Sequence, residues 1–318
     1  MKIDVHHHAI PAAVVELLRR EAVYGISFDG AAMIDSGVRY SLPEFTDPET
    51  KLTALESIGL DGAVLSAATQ LFFYHVDAAA TEELCRCLNE GFVDYCRQAA
   101  GRFRWNALVP LNSPDRAAET LRDADRLGCA GVMIASSVCG RRLDEPEFEP
   151  FWSAAEAVGK PVFLHPNYNQ AHPGLDRYFL QNVIGNLLET TIAIERLICA
   201  RVLDRHPGVR VLLPHGGGYL PYQAGRLRHA AAVRPEMLDA PKDPWAFAGR
   251  VYFDTLTHDA AAVAYLTDRI GVDNVLVGTD MPYDMAEPDP LGNLSLLNER
   301  AIHAVTEENP ARIYGFRV

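Results

Sequence analysis

Residues 2–8, Lys-Ile-Asp-Val-His-His-His, alternate polar and apolar positions as a strand does, and Pro11 follows closely. A helical spacing of apolar residues covers 12–21. Residues 23–46 are punctuated by glycines and a Ser-Leu-Pro and have mixed polarity, which predicts a loop or small lobe rather than a second domain. From residue 48 the pattern becomes regular. Helical periodicity at 48–58, 78–99, 114–127, 147–158, 189–205, 219–234 and 259–270 alternates with short apolar runs at 61–67, 104–110, 130–135, 161–165, 209–215, 250–254 and 274–278. Asp47 before Pro48 reads as a helix N-cap with proline at the first helical position. A helical stretch at 294–305, and a further turn from Pro310, end the chain.

With the first strand, the alternation makes eight strand–helix units. Nearly continuous apolar strands belong to a parallel sheet covered on both faces. A (β/α)8 TIM-type barrel with a small insertion after the first strand is therefore expected, as one domain over 1–318. A doubly wound open sheet would favour a glycine-rich phosphate turn after the first strand, and the sequence has none there.

The totals agree with one soluble enzyme-sized domain. The chain has 318 residues, 48% hydrophobic and 22% charged, enough for a large core. A formal net charge of −13 with no basic run argues against nucleic acid as a partner. An anionic small substrate stays open, because local cations outweigh distant charge. The six cysteines lack a disulfide spacing, no apolar leader opens the chain, and no window approaches a membrane span, so a cytoplasmic protein with reduced thiols is expected.

In a barrel, residues at the C-terminal ends of strands meet on one rim. Those ends carry His6 and His8, His165, His215 and Asp280. Strand alternation puts His6 and His8 on one face and turns His7 towards the helices. A lone strand-end histidine is more often a satisfied polar residue than a ligand, but the joint placement points to a metal. His6, His8, His165 and Asp280 offer a three-imidazole, one-carboxylate set suited to one divalent ion, Zn²⁺ first and Mn²⁺ as the alternative. The remaining rim group is then free for acid–base work. The fourth strand ends without Lys, Glu or Asp to bridge a second ion, which favours a single-metal centre. Phe72 and Phe73 beside His75 can line a pocket or equally serve core or loop packing. His258, just after the seventh strand, can reach the rim or belong to a helix start, and His172, His206, His229 and His303 carry no usable pattern.

The opening Lys-Ile-Asp-Val-His-His-His with Pro11, Phe-Leu-His165-Pro, Pro-His215-Gly-Gly-Gly and Gly-Thr-Asp280-Met-Pro together resemble the amidohydrolase superfamily. They are most similar to its decarboxylase branch, typified by 2-amino-3-carboxymuconate-6-semialdehyde decarboxylase, over essentially the whole chain. The resemblance implies one zinc held by His6, His8, His165 and Asp280, with His215 as acid/base. It also implies Arg39 as the holder of the substrate carboxylate, and Arg226 and Arg234 as further substrate-binding arginines, one reaching across a homodimer interface. His7 stands where a small residue is common, and Met281 where the family often has Tyr.

The expected activity is metal-dependent, non-oxidative decarboxylation of an unsaturated or aromatic carboxylic acid. A metal ion brings the pKa of its water down to about 7, and His215 can assist that step and later return a proton to carbon. Direct coordination of substrate, with an acid protonating the ring, is the other use of the same site. A hydrolase or hydratase acting on a carboxylated small molecule is the alternative activity, since fold and ligands are shared.

Overall fold

In the computed structural model, which describes residues 1–167, 172–247 and 249–316, eight strands are hydrogen-bonded in chain order. They are β1 (Ile3–Ala9), β2 (Gly62–Ala67), β3 (Phe103–Leu108), β4 (Gly131–Ala135), β5 (Val162–His165), β6 (Val211–Leu213), β7 (Val251–Asp254) and β8 (Val275–Leu276). Each registered neighbour pair is parallel. The first and last strands meet through Val5 N donating to Val277 O (2.9 Å), Asp280 N to His6 O (2.8 Å) and His8 N to Met281 O (2.7 Å). The expected (β/α)8 architecture is the one observed.

The strands are short and buried on both sides, as apolar runs capped by turns require. The helices cover them with one apolar stripe each. Along Ala78–Arg97, Thr81, Leu84, Cys85, Leu88, Phe92 and Tyr95 are buried at three- and four-residue spacing. The Asp77 carboxylate starts this helix by accepting from Ala79 N and Ala80 N, and its loss costs about 1 kcal/mol. Asp47 caps Pro48–Ser57 in the same way, as the sequence suggests.

Three stretches differ from expectation. Residues 23–46 carry a three-stranded antiparallel sheet, Ser27–Asp29, Ala32–Asp35 and Val38–Ser41, where an irregular lobe is predicted. The helix expected at 189–205 begins earlier, through a π-helical turn at Gln181–Asn186, and breaks at Arg201, whose φ of 59° is left-handed. Near the C-terminus the α-helix begins only at Glu299, behind the Asn298 cap, and runs through a π-turn at Ala304–Glu308. Periodicity alone does not show such interruptions. Among the described residues no helix is long and apolar enough to cross a membrane, and all six cysteines are free.

Candidate metal centre and its cavity

The ends of β1, β5 and β8 and the turn after β6 bring His6, His8, His165, His215 and Asp280 together. The rings of His6 and His8, His6 and His165, His8 and His165, and His6 and His215 lie 5.1–5.2 Å apart between centroids, edge to face. Ligand atoms of His6, His165, His215 and Asp280 all lie within 4.8 Å of one another. Asp280 divides its oxygens. Oδ1 stands 3.1 Å from His6 Nε2 and 3.0 Å from His8 Nε2, while Oδ2 faces His215 Nε2 at 3.6 Å.

The other nitrogen of each ligand histidine is fixed. His6 Nδ1 is 2.7 Å from Asp254 Oδ2, His8 Nδ1 is 2.7 Å from Ala67 O, and His165 Nδ1 is 2.7 Å from Pro166 O. A ring that donates from Nδ1 presents an unprotonated Nε2. Yet His6 Nε2 and His165 Nε2 face each other at 3.2 Å, and buried His8 Nε2 and Asp280 Oδ1 make no hydrogen bond at all. Lone pairs and a carboxylate converging on one point need a cation between them. Burial would lower the His6 imidazole, but the Asp280 and Asp254 carboxylates outweigh it and hold it up to about 10. Burial, reinforced by positive neighbours, pushes His165 well below its usual value. Burial opposes the Asp280 charge, yet the surrounding histidines keep that carboxyl well below the usual range. The cluster fits one divalent ion: His6, His165, His215 and Asp280 offer atoms within 4.8 Å of one another, and His8 Nε2 stands 3.0 Å from Asp280 Oδ1.

The backbone is bent to make the site. His215 (φ 54°) and Asp280 (φ 65°) are non-glycine residues in the left-handed region, a strained placement typical of functional positions. Gly278 lets β8 come this close: a Cβ there would sit 2.9 Å from both Asp254 Cβ and His6 Cβ.

Behind the ligands lies a buried network that the sequence reading does not include. Asp4 accepts from His6 N (3.0 Å), Thr279 N (3.1 Å), Thr279 Oγ1 (2.5 Å) and His7 Nδ1 (2.9 Å). The carboxylate thus ties β1 to the segment carrying Asp280. His7 points away from the metal ligands, as alternation requires, and its Nε2 lies 3.2 Å from Nζ of the buried Lys51, which also donates to His8 O at 2.5 Å. Burial pushes the Lys51 ammonium down to about 7. Asp254 is also missing from the sequence reading, although a carboxylate ending the seventh strand was there to be noticed. Its Oδ1 accepts from Gly216 N (2.9 Å) and Leu256 N (3.1 Å) while Oδ2 holds His6.

The centre opens into a cavity of about 370 Å³ whose wall includes His215, Asp280, Asn186, Leu187, Leu256 and His258. Other expected substrate contacts lie elsewhere. Arg39 is turned outward on the small sheet, its side chain 58% exposed and paired with Asp29 at 2.5 Å. Alternation along Val38–Ser41 gives the opposite direction to Tyr40, whose ring reaches Tyr283, and Tyr283 in turn packs on His8. Arg226 is exposed on the helix Leu220–Val233, and Arg234 is exposed beyond its end, paired with Glu236 at 2.6 Å. Phe72 is buried against Tyr74 and is not among the residues lining the cavity.

The family model described as amidohydrolase matches residues 3–316. The chain belongs to the amidohydrolase family. Among relatives of this amidohydrolase, the 2-amino-3-carboxymuconate-6-semialdehyde decarboxylase of Dictyostelium discoideum is 29% identical, over 91% of this chain and 84% of that protein. The crystal structure of 5-carboxyvanillate decarboxylase from Sphingomonas paucimobilis superposes with a TM-score of 0.87 at 24% identity, covering 99% of each chain. The corresponding enzyme of Novosphingobium aromaticivorans, solved with manganese and 4-hydroxy-3-methoxy-5-nitrobenzoic acid, gives a TM-score of 0.83 at 20% identity, covering 99% of this chain and 96% of that one. The motif resemblance and the whole-chain comparison agree on the family.

Proposed function

We propose that this amidohydrolase is a metal-dependent carboxy-lyase that releases CO₂, without oxidation, from a small unsaturated or aromatic carboxylic acid. The observation that carries the reading is the convergence of His6 Nε2 and His8 Nε2 on Asp280 Oδ1, with His165 Nε2 3.2 Å from His6 Nε2, beside a mostly apolar cavity. Decarboxylases among both the relatives and the structural neighbours support it. His6, His8, His165 and Asp280 would hold a divalent ion, zinc by ligand type or manganese as in one neighbour, which would supply Lewis acidity at the end of the cavity.

The chain's own residues do the rest. In the net reaction the bond between the ring or chain carbon and the carboxylate breaks, CO₂ leaves, and the electron pair remaining on carbon takes a proton. His215 is placed to hold and deliver that proton. Its Nε2 is next to Asp280 Oδ2, and its buried Nδ1 has no hydrogen-bond partner, so its proton is not committed elsewhere. Leu187, Leu256 and Leu266 wall the cavity and exclude water from the reacting carbon. Arg39 belongs to the same reading as a carboxylate holder that would have to leave Asp29, and Arg234 as a residue acting across a homodimer. Sedimentation of the intact protein tests the latter.

The deciding experiment reconstitutes the protein with zinc or manganese and follows CO₂ release from carboxylated catechols, salicylates and muconate semialdehydes. Release that disappears on chelation supports the proposal. No CO₂ from any of them, with water added or an ester opened instead, replaces it with a hydratase or hydrolase.

A further inference from the structure

One histidine on the cavity wall is left without a task by this chemistry. His258 follows β7 and is held at φ 54°, a left-handed conformation that a non-glycine residue seldom adopts. The turn is locked on both sides: Thr257 N donates to Thr255 O (2.8 Å), Thr257 Oγ1 donates to Asp259 O (3.1 Å), and Asp259 caps the next helix through Ala261 N (2.8 Å). Strain of this kind persists where surroundings over-determine it, and it clusters where side chains meet ligands.

Behind His258 stands a built support. Its Nδ1 lies 3.1 Å from Oε2 of Glu287, whose side chain is only 8% exposed. Glu287 is itself immobilised, with Oε1 accepting from Asp289 N (3.0 Å), Oε2 from Asn293 Nδ2 (3.2 Å), and its own N–H donating to Thr279 O (2.8 Å). The buried carboxylate stands beside Nδ1, so the ring turns that nitrogen towards Glu287. Nε2 then remains as the ring atom for a ligand, and the His258 side chain is 41% exposed on the wall shared with His215 and Asp280. Among the described residues lining this cavity none is Lys or Arg.

We propose that His258, positioned by Glu287, is a substrate-binding residue that carries a proton on each ring nitrogen in the complex, donating from Nδ1 to Glu287 and from Nε2 to a second anionic or carbonyl oxygen of the substrate, on the part of the molecule away from the metal-bound carboxylate. The inference rests on the carboxy-lyase reading of the cavity and narrows its substrate class to acids bearing two acidic or carbonyl functions. No covalent step is assigned to His258.

The test is a binding titration of the metal-loaded protein with two probes that differ by one carboxylate, 2-hydroxybenzoate and 4-hydroxyisophthalate. The parent protein is expected to favour the dicarboxylate by about tenfold or more, the scale of a charge-assisted hydrogen bond. His258→Leu should remove that preference and leave 2-hydroxybenzoate affinity and metal content within about twofold, where one tenfold step is about 1.4 kcal/mol. Glu287→Gln should weaken the preference, and His258→Gln, which keeps a donor, should restore part of it. In turnover the effect should appear in KM and not in kcat. A parent with no preference, a His258→Leu variant that keeps it, or equal loss of both probes overturns the proposal. Binding discrimination without any CO₂ release would leave the His258 assignment standing and remove the decarboxylase reading instead.

Discussion

Asp254→Asn is the sharpest test of how the centre is built, because it changes one atom and almost no volume. In the native protein the carboxylate accepts from three groups: His6 Nδ1 at 2.7 Å, Gly216 N at 2.9 Å and Leu256 N at 3.1 Å. An amide has one oxygen. The two backbone N–H groups cannot turn away, so the oxygen must face them and the NH₂ must face His6. His6 Nδ1 then becomes an acceptor, the ring proton moves to Nε2, and the atom aimed at the metal is blocked. Replacing the charged acceptor also reduces each remaining bond from the ~1.5–3 kcal/mol scale of a hydrogen bond to a charged group towards the ~1 kcal/mol of a neutral one. Loss of such a supporting carboxylate typically weakens metal affinity ~10–100-fold, or ~1.4–2.7 kcal/mol. Competition against a chromophoric chelator measures this directly, and nitrogen NMR of the labelled imidazole reports the tautomer. Affinity within twofold of the parent, with His6 still protonated on Nδ1, would refute the argument.

Other expectations separate the roles within the site and in the scaffold. His215→Ala should keep its metal while turnover collapses, by ~10²-fold or more, whereas Asp280→Ala should lose both; equal metal loss by elemental analysis would show that base and ligand are confused. Gly217→Ala should destabilise by about 2 kcal/mol or more, because φ is 78° and the new Cβ would lie 2.3 Å from Phe253 Cδ1; an unchanged melting temperature would refute that. Burial raises the Glu195 carboxyl, and among the described residues it has no ion-pair partner. The folded chain therefore binds that proton more readily than the unfolded one, so stability falls as pH rises from about 4.5 through the raised value. Glu195→Gln should accordingly raise the melting temperature at neutral pH and give no gain below about pH 4, where both forms carry an uncharged side chain.

Much of this was legible in the residues. Strand alternation separates His6 and His8 from His7, and the strand ends alone gather His165, His215 and Asp280 on one rim. What escaped shares a physical cause. Asp4, Asp254 and Lys51 act through hydrogen bonds between segments distant in sequence, and no periodicity encodes which buried carboxylate meets which ring. Arg39 shows the converse, since a one-residue step on a short strand decides between solvent and the face packed on Phe45 and Tyr283, and only the sheet register supplies that step. The π-turn at Gln181–Asn186 lies ahead of the helix expected from residue 189, and it carries Asn182, Val183 and Asn186 to the cavity wall.

The seam between β1 and the segment after β8 has a consequence for how the protein matures. His6 and His8 lie on one side of it and Asp280 on the other. Because these residues are far apart in sequence, they meet only after the barrel closes, and long-range closure is the slow part of such topologies. An ion held by these residues would therefore be captured late, after closure, and would act as a clasp on the join. The amides of Val5, His8 and Asp280, which knit that join, should be the ones whose hydrogen exchange slows most on loading with metal.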